Sequence, residues 1–172
     1  MRNVAASFVT LAPSDRFFPS GTLGPVRQAT RRPVIGGVML GFGMHTAGAS
    51  HVSFSVRDLE RSLAWYREVF GADVMFHEPG EDRSAAVLSL PGTSLLIGLT
   101  QFESRPDDAF DPTRTGLDHF AFAVESLAAL EQWAELLDSH EIEHSGPIEV
   151  PPGAILNFKD PDGIALALMW RR

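Results

Sequence analysis

One nine-residue pattern occurs twice in this chain, and it constrains the fold more than any other feature. His51-Val-Ser-Phe-Ser-Val-Arg-Asp-Leu59 is matched by His119-Phe-Ala-Phe-Ala-Val-Glu-Ser-Leu127, offset by 68 positions and sharing HxxFxVxxL. Each copy alternates large and small residues, as a strand packed on one face does, and runs straight into a helical spacing. Asp58 and Ser126 stand where an N-cap must accept orphan backbone N–H groups. Leu59, Leu63, Tyr66 and Phe70 then recur at three- to four-residue intervals, with Gly71 as the stop, and Leu127, Leu130, Ala134 and Leu137 repeat the spacing.

Three short strands are expected after each helix: Asp73 to Glu78, Ala85 to Leu90 and Ser94 to Thr100, then His144 to Val150, Ala154 to Lys159 and Ile164 to Trp170. Pro91-Gly92-Thr93 and Asp160-Pro161-Asp162-Gly163 are strong reversal signals, because Pro presets φ and Gly tolerates positive φ. The expected fold class is therefore α+β, with two tandem βαβββ modules forming a curved mixed-sheet cup and helices on the outside. Module one spans 48–102, a Pro-containing charged linker spans 103–116, and module two spans 117–172.

Strand alternation sorts the side chains. His51, Ser53 and Ser55 share one face, as do His119, Ala121 and Ala123, while the Phe and Val residues between them point the other way. In the last strand of each copy Gly98 falls on the small face of the first, and Ala165 and Ala167 on that of the second. The bulky faces must bury against the helices, since each Phe or Leu contributes roughly 1.5 to 3 kcal/mol when buried. A face lined by Ser, Ala and Gly leaves a hollow unless something fills it. The candidate lining is Ser53, Ser55, Gly98, Ala121, Ala123, Ala165 and Ala167, with a small-molecule ligand as the filling. A partner chain or the 103–116 linker are the competing occupants.

Composition narrows the partners. The net charge of −8 divides into +4 over residues 1–50 and −12 over the remainder, and so acidic a body repels phosphate backbones, which excludes nucleic acid as the natural partner. No apolar run reaches the length of a membrane span. With no cysteine, thiol chemistry and disulfides are excluded, and a reducing, cytoplasmic setting is the expectation. Residues 1–47 hold Pro13, Pro19, Pro25 and Pro33 without a sustained period, and read as a disordered or mis-assigned N-terminal extension.

The paired segments HVSFSVRDLERSLAWYREVFG and LDHFAFAVESLAALEQWAELL, closed by FKDPDGIALALMW, resemble the vicinal oxygen chelate superfamily over His51 to Trp170. That superfamily includes glyoxalase I, extradiol dioxygenases, and fosfomycin and bleomycin resistance proteins. Its metal-binding members take ligands from the first and last strands of each module. The resemblance thus implies His51 and His119 as metal ligands, to divalent Fe, Mn, Ni, Co or Zn. It names no catalytic residue here. Where the closing motif carries Glu, this chain has Ala167, and the matching position of the first module is Gly98; neither donates through a side chain.

Two neutral imidazoles leave the +2 charge of an ion uncompensated. Glu103, Glu149, His77 and Gln101 are the other donors near the strand ends, each read as a rim residue. Two functions follow from the resemblance. One is a metal-dependent lyase, isomerase or extradiol-type dioxygenase of glyoxalase type; the other is a metal-free protein of bleomycin-resistance type that sequesters its ligand. A homodimer is expected in either case.

Overall fold

The computed structural model describes residues 48–104 and 108–172, so the expectation for residues 1–47 falls outside the described residues. The first module comprises β1 (His51–Ser55), α1 (Leu59–Phe70), β2 (Asp73–Pro79), β3 (Arg83–Ser89) and β4 (Leu96–Phe102). The second comprises β5 (Phe120–Ala123), α2 (Leu127–Ser139), β6 (Ile148–Val150), β7 (Gly153–Lys159) and β8 (Ala165–Arg171). Each module is βαβββ, and the fold is α+β. The sheets have the same order, β1-β4-β3-β2 and β5-β8-β7-β6, with β1 parallel to β4, β5 parallel to β8, and the other neighbours antiparallel. Among the described residues no helix is long and apolar enough to cross a membrane.

The caps fall where the residue types demand. Asp58 Oδ1 accepts from the Arg61 N–H at 3.0 Å, and Ser126 Oγ accepts from the Ala129 N–H at 3.0 Å. Gly71 ends α1 at φ +62°, and its N–H reaches the Tyr66 carbonyl. An L side chain there would sit in the left-handed region, which glycine enters without penalty. The second helix lacks such a glycine; His140 closes it by donating its backbone N–H to the carbonyls of Leu136 and Leu137.

The bulky faces of both sheets and both helices contribute to one core. Phe54 of β1 meets Phe120 of β5 at 5.9 Å between ring centroids, and Phe70 of α1 meets Phe122 at 4.9 Å and Trp133 at 5.3 Å. Trp65 reaches Phe158 of β7 at 6.4 Å. Tyr66, Leu88, Ile97, Leu99, Leu130 and Leu156 are fully buried within this cluster. Trp65, Trp133 and Trp170 pack against it partly exposed. The modules are thus joined by interleaved rings, offset or edge-on, the arrangement that aromatic quadrupoles favour.

The small faces point away from that core, with Ser53, Ser55, Ala121 and Ala123 exposed. Three expected strands differ in extent by two residues or more at one end. β3 starts earlier, at Arg83, and β4 begins at Leu96 and continues to Phe102. β6 shrinks to Ile148–Val150, because Gly146 takes φ +66° and leaves His144 only an isolated bridge to Phe158.

Candidate functional site

The strand register fixes what lies beside what. Ser53 pairs with Gly98 across β1 and β4, and Ala121 pairs with Ala167 across β5 and β8. The repeat therefore places Gly98 and Ala167 at equivalent points. Gly98 cannot be enlarged freely: a Cβ there would stand 2.7 Å from Ser53 Oγ and 3.1 Å from Ser53 Cβ. Ala167 is fully buried, and Ala165 and Gly98 are half-buried. The two last-strand positions at which the resemblance implies ligands therefore carry small residues, Gly98 half-buried and Ala167 buried.

His51 opens β1 and is exposed. His119 immediately precedes β5, and its Nδ1 lies against Asp118 Oδ1, both side chains being largely exposed. Among the described residues, no three His, Asp or Glu side chains gather into a group able to hold a metal ion. The other donors considered are engaged elsewhere or stand at the surface. Gln101 Oε1 accepts from the Leu59 N–H at 2.7 Å and so satisfies the start of α1. Glu149 lies 4.0 Å from Arg172 at the surface, and His77 and Glu103 are exposed. As a donor set, the two imidazoles, with Gly98 and Ala167 offering no side-chain ligand, do not fit a tightly held divalent cation, which needs anionic charge as well as nitrogen.

A cavity of about 550 Å³ lies at the mouth of β1. Ser53 and Ser55 line it from the sheet; the histidines, Gly98, Ala121, Ala123, Ala165 and Ala167 do not. Its other walls are Phe102 at the end of β4, the linker residues Phe110 and Arg114, and Leu117, Asp162 and Ile164 from the second module. Phe110 is half-buried and packs against the core, which anchors the linker as a wall. The linker contribution was open to detection in the sequence only through Phe110, an apolar residue amid prolines and charges.

Beside the cavity runs a polar latch between the modules. Asp162, 6% exposed, accepts from the Arg57 backbone N–H at 2.9 Å and from Arg57 Nε at 2.8 Å. Asp160, equally buried, accepts from the Asp162 and Ile164 N–H groups at 2.9 and 2.8 Å, and from the Tyr66 hydroxyl at 3.4 Å. Burial pushes the Asp160 carboxyl up to about 6, against the opposing pull of its two backbone N–H donors. Burial, followed by the neighbouring Asp160 charge, raises the Tyr66 hydroxyl well above its usual value. The Asp160–Gly163 segment, which the sequence marks as a reversal, is therefore also a docking element for α1.

The family model that matches the chain, over residues 48–168, is the Glyoxalase/Bleomycin resistance protein/Dioxygenase superfamily. A crystal structure of a glyoxylase/bleomycin resistance protein/dioxygenase domain from Frankia sp. EAN1pec superposes with a TM-score of 0.70 at 40% identity, covering 74% of this chain and 100% of that one. Lactoylglutathione lyase GLX1 of Arabidopsis thaliana is 30% identical over 70% of the chain and 43% of its own length. Metallothiol transferase FosB of Staphylococcus epidermidis is 25% identical over 73% of the chain and 82% of its own length. The chain thus spans less than half the length of the plant lyase that it matches.

Proposed function

The chain belongs to the glyoxalase/bleomycin resistance protein/dioxygenase superfamily, and from that premise we propose that it binds a small molecule without a metal, in the manner of the bleomycin-resistance branch. The carrying observation is the Ser53–Gly98 contact. Position 98 has no side chain and a Cβ there would stand 2.7 Å from Ser53 Oγ, while Ala167 at the equivalent point is fully buried, so neither position offers a ligand. His51 and His119 alone leave a divalent cation without the anionic ligand that would hold it tightly.

Binding without bond-making asks less of the site. It needs a concave, mostly apolar surface with a few placed polar groups, and the cavity at Ser53 and Ser55 supplies that. Homodimerisation belongs to the same reading. Phe76 on β2 and Ile148 on β6 are 41% and 44% exposed, and both lie on the small-residue side of their sheets, where a second copy would cover them.

The test is elemental analysis of freshly purified protein, combined with thermal-shift titration against basic glycopeptides such as bleomycin in the presence of EDTA. Sub-stoichiometric metal and ligand stabilisation that EDTA leaves intact are expected. Stoichiometric metal that disappears in the His51→Ala, His119→Ala double variant would overturn the proposal in favour of the metal-dependent reading.

A further inference from the structure

The cavity at the mouth of β1 carries more information than its existence. Two aromatic residues line it from separate stretches of chain, Phe102 from the end of β4 and Phe110 from the linker, while the Phe54 ring between Ser53 and Ser55 is turned into the core. A volume of about 550 Å³ falls within the range of drug-sized pockets, roughly 300 to 1,000 Å³. The hydroxyls of Ser53, Ser55, Ser104 and Thr115 supply donors and acceptors around these rings.

The charges of the wall are uneven. Asp108, Asp111 and Asp162 face Arg57 and Arg114, three carboxylates against two guanidinium groups. Asp162 is bonded to Arg57, and Asp108 to Arg114 Nη1, whereas Asp111 stands 3.7 Å from Arg114 Nε. Hydrogen bonds from Thr113 hold the Asp111 carboxyl below its usual range, so the surplus negative charge persists into acid. The −12 of residues 51–172 adds a long-range field of the same sign. Ring faces and a surplus carboxylate both favour a flat cation, by cation–π attraction and by charge.

We propose that this cavity binds a planar aromatic cation bearing hydrogen-bonding groups, with linker residues 108–116 as its outer wall and Asp111 as its charge selector. The proposal rests on the metal-independent binding reading above and names the ligand class for it. The linker is then part of the binding machinery.

Fluorescence titration of the full chain with proflavine, a planar tricyclic cation, and 9-anthracenecarboxylate, an anion of the same ring count, tests the idea. The cation is expected to bind at least about tenfold more tightly, a difference of about 1.4 kcal/mol. Ser55→Leu fills the hollow from an exposed position on the sheet and is expected to weaken the cation by about tenfold or more. Asp108→Asn with Asp111→Asn should remove the preference for positive charge. No binding of the cation, equal binding of both probes, or cation binding that neither Ser55→Leu nor Phe110→Ala alters would each overturn the proposal. Those outcomes leave the metal question to the elemental analysis, where stoichiometric metal sinks the earlier reading whatever the dyes do.

Discussion

Asp160→Asn isolates the electrostatic character of the inter-module latch. In the folded chain the Asp160 carboxyl titrates at about 6, against an ordinary value of 3.8, because burial penalises its charge. Between those two pH values an unfolded chain has released the proton while the folded chain still holds it. Stability therefore falls as pH rises through this window, and the loss is complete above the folded value. The gap corresponds to about 3 kcal/mol, a large share of the stability of a domain this size. Asparagine preserves the shape and keeps an oxygen for the Asp162 and Ile164 N–H groups, but it does not ionise. Urea unfolding followed by circular dichroism from pH 4 to 8 should show the variant gaining on the parent by up to that amount across pH 4 to 6.5. A stability difference that stays flat with pH would refute the reasoning. So would one of opposite slope, which would mean that the two backbone donors outweigh burial and keep the carboxylate charged.

Two further outcomes follow from the same geometry. Arg57→Ala leaves the buried Asp162 carboxylate without its cation and is expected to cost about 1–3 kcal/mol, discounted because Arg57 is 39% exposed; a double-mutant cycle with Asp162→Asn in chemical denaturation should return a coupling well above zero, and additive effects would remove the latch from the account. Gly98→Ala forces its new methyl against Ser53 and should cost about 1–3 kcal/mol, a loss relieved by Ser53→Gly, which leaves only an ordinary 3.5 Å contact to Cα; failure of the second change to rescue thermal stability would show that the strain lies elsewhere.

Local information carried most of the architecture. The HxxFxVxxL repeat, the caps at Asp58 and Ser126 and the stop at Gly71 depend on residues within a few positions of one another, and they appear in the fold as read. What depends on distant chain was hidden. Asp160 and Asp162 look like ordinary turn residues beside Pro161 and Gly163, yet their burial comes from Tyr66 and Arg57, about a hundred positions earlier. Gln101 resembled a rim donor because nothing adjacent announces that its amide oxygen meets the start of α1. The linker illustrates the same limit, since only packing turned Phe110 from a loop residue into a cavity wall.

The latch is not repeated at the corresponding turn of the first module. In the first module the equivalent reversal is Pro91-Gly92-Thr93, which carries no carboxylate to offer a neighbouring helix. The two halves share a backbone plan but have taken on unequal duties: one presents a helix and an arginine, the other clasps them. A chain built from two copies of the first module would keep the strands and lose the clasp, so the two halves are not interchangeable.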